Sequence, residues 1–279
     1  MDRQELEQIR QGLAEGRIIP YLGPGVLSLA EEAGSIPSTA QELVARLTAK
    51  STVPHKIRTN LTAAAQFIEN FKHRKTVKAA MNEAFAKPAH PTALHRYLAA
   101  LPALPLWVNA WYDDLPQAAL AHRAEPWGAA QGVSQAEHHG DWVHYFEADG
   151  NRRVEPVSEG EAPWPTLLYQ PLGSVSPEGN YLVSDSDYVE VLTEIDIQTP
   201  IPEPVRELRK GRRFLFIGCR FSTQLERTFA RQILKRSSEG HWAVLPEEPT
   251  RNERNFLEEN GIARIETPLA EWVAALTGE

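Results

Sequence analysis

The residues whose types could do chemistry sit where apolar runs stop. Ile18-Ile19-Pro20-Tyr21-Leu22 closes on Gly23-Pro24-Gly25-Val26-Leu27-Ser28. Leu104 to Val108 runs into Asn109-Ala110-Trp111-Tyr112-Asp113-Asp114, and Thr166-Leu167-Leu168-Tyr169 into Pro171-Leu172-Gly173. Arg213-Phe214-Leu215-Phe216-Ile217 meets Gly218, with Ser222 shortly after. Glycine at such a turn lets a ligand approach the backbone, and a helix that follows offers N–H groups to a phosphate. Each feature also has a plain structural meaning: a tight turn at the glycines, a helix cap at Asp113 or Ser222. Neither phosphate fingerprint is complete. The stretch from Gly23 to Ser28 lacks the third glycine of the dinucleotide motif and the Gly-Lys-Ser/Thr ending of a P-loop. Pro24 also removes an N–H that a phosphate cradle would present.

A second group, Glu137, His138, His139 and His144, has side chains suited to metal binding or acid–base work, but not at a recognisable metal-ligand spacing. Surface histidines are the expected outcome, and no metal is expected. His90 and His95 flank a helix start and read as structural or solvent-facing. Cys219 is the single cysteine, so neither an internal disulfide nor a four-cysteine zinc ribbon can form. It lies in an apolar run and reads as a small buried residue. Trp107, Trp111, Trp127 and Trp142 suit a core or an interface.

The elements that must position these residues follow from periodicity. Asp2 caps an expected helix over Arg3 to Ala14, and Thr39 to Ala49 forms another. Residues 60–86 read as one or two alanine-rich helices. Pro91 to Ala100 reads as a helix with Pro91 in its first turn. A helix opens after Asp114 and runs through Ala121. Asp149-Gly150-Asn151, flanked by Trp142 to Phe146 and Arg153 to Glu155, signals a hairpin. Asp187 to Leu192 is a short helix. From Arg213 onward strands and helices alternate, which implies a mostly parallel sheet covered on both faces. The expected architecture is α/β and Rossmann-like. It is a single domain over 1–279 with a helical insertion around 51–90, a small β-hairpin and a hairpin excursion around 125–165.

Bulk properties bound the function. The 279 residues carry a net charge of −8, which gives no general attraction to nucleic acid or anionic membrane. The clusters Lys72-His73-Arg74-Lys75 and Arg206 to Arg213 read as solvated helix faces. No apolar stretch reaches the roughly 18 residues of a membrane span. The charged start Met1-Asp2-Arg3 has no apolar signal core, so a cytoplasmic location is the default expectation.

Taken in order, the four turns resemble the bacterial sirtuin-like family, in its divergent branch without the zinc ribbon. Gly23 to Ser28 resembles that family's glycine turn, and Gly34-Ser35-Ile36-Pro37 the Gly-x-Pro after it. Tyr112-Asp113-Asp114-Leu115 resembles its Asn-aromatic-Asp helix start, and Tyr181 to Tyr188 its segment after the His-Gly motif. Phe214 to Ser222 resembles its late strand and turn on the adenosine side. Trp242-Ala243-Val244 and Pro268 to Trp272 also fit.

The resemblance implies NAD or ADP-ribose as ligand, with Gly23, Gly25, Ser28, Asp113, Gly173, Gly218 and Ser222 on the cofactor side. Active members cleave the nicotinamide–ribose bond. They use an asparagine to position the ribose or water and a histidine as general base. Those two positions fall on Trp111 and Leu172, and neither side chain can accept a proton. Asp113 and Gly173 are retained. Three expectations follow. The first is a catalytically degenerate module that binds a nucleotide or an unidentified protein partner, or forms a homo-oligomer. The second is an active NAD glycohydrolase, or less plausibly a deacylase, with displaced residues: Asn109 and one of His138, His139 or His144. The third is a structural interaction protein whose pocket is closed by Trp111 and Leu172.

Overall fold

The computed structural model describes residues 2–31, 34–87, 89–147, 153–154, 164–197 and 201–278, with the backbone course alone for 153–154 and 193–197. α1 (Arg3–Ala14) starts where the Asp2 carboxylate accepts the Gln4 N–H, and it leads into β1 (Ile18–Leu22). A 3₁₀ turn over Pro24–Leu29 follows, and then a helical layer. That layer comprises α2 (Ala40–Ala49), α3 (Leu61–Lys72) and α4 (Arg74–Phe85). α5 (Ala93–Ala99), β2 (Leu106–Asn109) and α6 (Leu115–Leu120) come next. β3 (Trp127–Gly132), β4 (Val143–Glu147), β5 (Arg153–Val154) and β6 (Thr166–Gln170) follow, then the short strands β7 (Gly173–Ser174) and β8 (Asn180–Tyr181). α7 (Asp185–Ile197) and α8 (Glu203–Leu208) precede the last third. There β9 (Arg213–Ile217), α9 (Gln224–Leu234), β10 (His241–Val244), α10 (Arg251–Glu259), β11 (Ile262–Ile265) and α11 (Leu269–Thr277) alternate as expected.

Among the described residues the main sheet has nine strands in the order β11-β10-β9-β1-β2-β6-β3-β4-β5, and β7 pairs with β8 in a small antiparallel sheet. The strands from β11 to β3 run parallel; β4 and β5 are antiparallel. Side-chain alternation sorts the strand residues onto two faces. Ile18, Leu22, Trp107, Leu168, Leu215 and Ile217 join one core with α1, α5 and α11. Ile19, Tyr21, Leu106, Tyr169, Phe214 and Phe216 join the other with α9 and α10. A third cluster fuses the helical layer to the sheet through Leu27, Phe85, Trp111, Tyr112 and Val183. The fold is Rossmann-like: a mostly parallel sheet with helices on both faces. No helix among the described residues is long and apolar enough to cross a membrane.

Several elements depart from expectation for identifiable reasons. β3 gave no strand signal because its sequence, Trp-Gly-Ala-Ala-Gln-Gly, has little β propensity. Its glycines exist because the neighbours are close. A Cβ on Gly128 would lie 2.3 Å from the Trp164 ring, and one on Gly132 2.3 Å from the Pro171 carbonyl oxygen. With β3 paired to both β6 and β4, the expected excursion around 125–165 carries strands of the main sheet. The hairpin turn at 149–151 lies outside the described residues. Pro91 is not in the first turn of α5; Thr92 is the cap, in a reciprocal box with His95. Thr223, not Ser222, caps α9, with Glu226 closing its capping box. α7 is longer than the expected Asp187 to Leu192.

Candidate functional site

From β1 the chain crosses toward β2, and from β9 toward β10, so the sheet order reverses between β1 and β9. Open α/β sheets bind ligands at such a switch point, beyond the carboxyl ends of the strands. Gly23 and Gly218 end these two strands, but their turns face each other. Gly23 N–H donates to Ile217 O (2.9 Å), Gly25 N–H to Gly218 O (2.9 Å) and Val26 N–H to Gly23 O (3.2 Å). A Cβ on Gly23 would sit 2.5 Å from Gly218 O, and one on Gly218 2.5 Å from Val26 N. Gly218 also has a φ of +65°, which disfavours side chains. A phosphate cradle needs free N–H groups. Here those of Gly23, Gly25 and Val26 are spent and Pro24 has none. Ser28 faces solvent, and its hydroxyl donates to Gly25 O at 2.7 Å. Cys219 is buried beneath this contact, and burial pushes its thiol pKa up, away from nucleophilic use.

The corner where the resemblance puts the catalytic pair is apolar. Trp111 is 5% exposed. Its indole N–H donates to Pro37 O at 2.8 Å, and its ring lies 6.3 Å from Phe85 and 5.0 Å from Tyr112. Leu172 packs against the same cluster, and its carbonyl accepts Leu182 N–H at 3.0 Å. Trp111 is thus anchored from the Gly-x-Pro loop and walled by α4. The 3₁₀ turn adds Leu27 to the same cluster.

Beneath this corner lies a buried polar layer. Asn109 and Asp113, both 2% exposed, are joined by Asn109 Nδ2–H to Asp113 Oδ2 at 3.2 Å. Asp113 Oδ1 accepts Leu115 N–H at 3.1 Å, so Asp113 holds the start of α6. Burial raises its pKa to about 6, against the opposing bonds from Asn109 and Leu115. Gln131 and Gln117 both donate to Gln170 Oε1 at 2.8 Å, and Ser174 Oγ donates to the Asp113 carbonyl at 3.2 Å. The Oε1 atoms of Gln117 and Gln131 find no partner among the described residues. Sequence reasoning missed these glutamines. The one available signal was a polar residue ending an apolar strand, as Gln170 does.

Asn109, Asp113 and the turn at Gly173 therefore converge, as do Gly23, Gly25 and Gly218. Gly173, at φ +80°, exists for strand pairing: a Cβ there would lie 2.1 Å from Asn180 O. Ser222 is exposed and engaged with Glu226. Within the histidine group, His138 and His144 meet edge to face with ring centroids 4.5 Å apart, and His144, at 1% exposure, is not the surface histidine expected. His138 Nε2 meets Asn180 Oδ1 at 3.0 Å, and buried His144 meets Glu178 at 2.8 Å. Glu137 turns instead to Arg74 and Lys78. Among the described residues no group of three or more His, Cys, Asp or Glu side chains is arranged to hold a metal. Arg74, expected on a solvated face, is a hub. It pairs with Asp187 (2.8 Å), Glu69 (3.2 Å) and Glu137 (3.4 Å), and donates to the Tyr181 carbonyl.

An open, mostly parallel sheet with its switch-point turns defines a Rossmann-like architecture. A family model for the SIR2-like domain matches residues 105–265, more than half of the chain, and the chain belongs to this SIR2-like family. The matched span includes Trp111, Asp113, Leu172, Gly173, Gly218 and Ser222, and leaves Gly23, Gly25 and Ser28 outside it. A solved structure described as "Structural Basis for the Mechanism and Regulation of Sir2 Enzymes" is similar over 99% of this chain and 97% of its own, at 12% identity and a TM-score of 0.43. No curated protein matches the chain.

Proposed function

We propose that this chain is a SIR2-like module that does not cleave NAD and acts by binding, through contact with a partner protein or a second copy of itself. The observation that carries this reading is the packing of Trp111 and Leu172 into one apolar cluster with Phe85 and Leu27. Cleaving the nicotinamide–ribose bond builds positive charge on the ribose and needs a proton acceptor and an ordered water or hydroxyl. That corner offers hydrocarbon and an indole whose N–H is already used. NAD, which the family resemblance implies, does not fit the residues present. The N–H groups of the glycine turn are engaged, and Ser28 and Ser222 spend their hydroxyls locally. Nucleotide binding would require the β1 and β9 turns to part.

The reading with displaced residues has less support. Asn109 is buried and committed to Asp113, and His138 and His144 are committed to Asn180 and Glu178. Incubating the purified chain with NAD and following nicotinamide decides between them. The expected result is no release above the blank. Release that Asn109→Ala abolishes overturns the proposal. Calorimetric titration with NAD and ADP-ribose is expected to give no saturable heat. A saturable signal would replace protein binding with nucleotide binding as the mode of action.

A further inference from the structure

The amino ends of the strands β1 and β9 lie at the opposite edge of the sheet from the glycine turns. There a depression of about 160 Å³ is lined by Gln8, Arg17, Ile18, Gly211, Arg213 and Ser238. Backbone pairing brings Arg17 and Arg213 to the same edge: Ile18 is the register partner of Arg213, and Arg213 N–H donates to Arg17 O at 3.0 Å. Ser238 is brought alongside by its N–H bond to Arg212 O at 2.8 Å. The turn beneath is pinned by Arg212, which donates to Gly16 O at 2.8 Å.

We propose that this basic pocket binds a phosphate group, free or as a small monoester. Three observations point to it. The Arg213 guanidinium is fixed over the Trp242 ring, 5.6 Å from its centroid, and makes no ion pair or hydrogen bond within the described residues. The side chains of Gln8 and Ser238 also make no hydrogen bond there, so an amide and a hydroxyl stand ready beside it. The charge balance is positive. Arg17 has one exposed carboxylate partner, Glu15 at 2.5 Å, and Arg213 has none among the described residues. Planar guanidinium donors match tetrahedral oxyanions in bidentate fashion. Pockets for drug-sized ligands occupy about 300–1,000 Å³. This smaller one suits a phosphate with a short substituent. The proposal is independent of the reading given above for the glycine turns.

The test uses the full chain at fixed ionic strength, titrated with inorganic phosphate and with glycerol 3-phosphate, and with acetate as the anion control. Saturable binding of at least one phosphate probe is expected, with acetate much weaker. Tighter binding of glycerol 3-phosphate would identify the ester as the preferred form; tighter binding of inorganic phosphate would identify the free ion. Arg213→Gln is expected to weaken binding about 10- to 100-fold, the loss of one charge-assisted contact. Arg17→Gln, which leaves the Trp242 stack in place, is expected to weaken it too, so a folding defect at Arg213 cannot decide the matter. Arg251→Gln, the same charge change on exposed α10, should leave it unaltered. No saturable binding, equal weakening by Arg251→Gln, or acetate binding as tightly as phosphate would each overturn the proposal.

Discussion

If Trp111 plugs the corner, truncating it must cost heavily. Trp111→Ala removes an indole that is 5% exposed and packed on Phe85 and Tyr112. Buried Phe or Trp truncations cost about 3–5 kcal/mol. Loss of the bond to the Pro37 carbonyl adds about 1 kcal/mol. Together these approach the whole stability of an ordinary domain, about 5–15 kcal/mol. Trp111→Phe keeps most of the ring and loses only the N–H bond and the second ring, so about 1–2 kcal/mol is expected. Trp111→Asn restores the residue type that the family uses, yet it should cost as much as alanine. It sets an amide among Leu27, Phe85 and Val183 with no partner in place. Urea unfolding followed by far-UV circular dichroism measures the series, and the midpoint order should be parent, Phe, then Ala with Asn. The double variant Trp111→Asn, Leu172→His should release no nicotinamide, because the N–H groups of the glycine turn stay engaged. An alanine variant losing less than about 1 kcal/mol at unchanged m would refute the packing argument. Nicotinamide release by the double variant would refute the role given to the turn.

Arg74→Met should destabilise by about 3–5 kcal/mol in the same assay, because it strands the Asp187 carboxylate in the interior; Asp187 is 1% exposed. A loss below about 1 kcal/mol would show that the hub is not a structural tie. Gly218→Ala should prevent stable folding, since its Cβ would meet backbone at 2.5 Å, whereas Gly261→Ala, with open space and φ +60°, should cost about 1 kcal/mol. Equal effects on thermal melting would refute the close contact between turns. Asp113 binds its proton more tightly folded than unfolded, with a pKa moved from 3.8 to about 6 by burial. Its favourable contribution is complete below about pH 4 and is lost as pH rises through about 6, an effect of order 3 kcal/mol. The stability of Asp113→Asn relative to the parent should therefore rise across that window and level off above it. A gain independent of pH would refute the assignment.

Much of the architecture was legible because the signals were local. Asp2 and Thr39 cap helices through bonds that span two or three residues, and the apolar runs at β1, β6 and β9 are buried along their length as a covered parallel sheet requires. What escaped depended on contacts distant in sequence. β3 is a strand because Trp164 and Pro171 press on its glycines, and Arg74 is buried because Asp187 lies across from it. No window around residues 72–75 contains Asp187, so a run of basic residues reads as a solvated face there.

The candidate site shows a deeper limit. Gly23 and Gly218 are glycines because a Cβ would collide with something, and sequence cannot say whether that something is a phosphate or another turn. Both demands remove the same atom. The distances answer the question here: the collision partners are Gly218 O, Cys219 and Val26 N. Trp111 and Leu172 differ in kind, because their types alone exclude proton transfer, whatever surrounds them. The structure adds that each is packed where it stands. A residue's chemistry can thus be excluded from sequence, while the use of a residue without side-chain chemistry has to be read from its neighbours. Gly25 carries this furthest. Its lack of a side chain is what a ligand cradle would need, but its single donor already faces Gly218 O at 2.9 Å. The motif therefore records a place in the fold, and its donor is already engaged there.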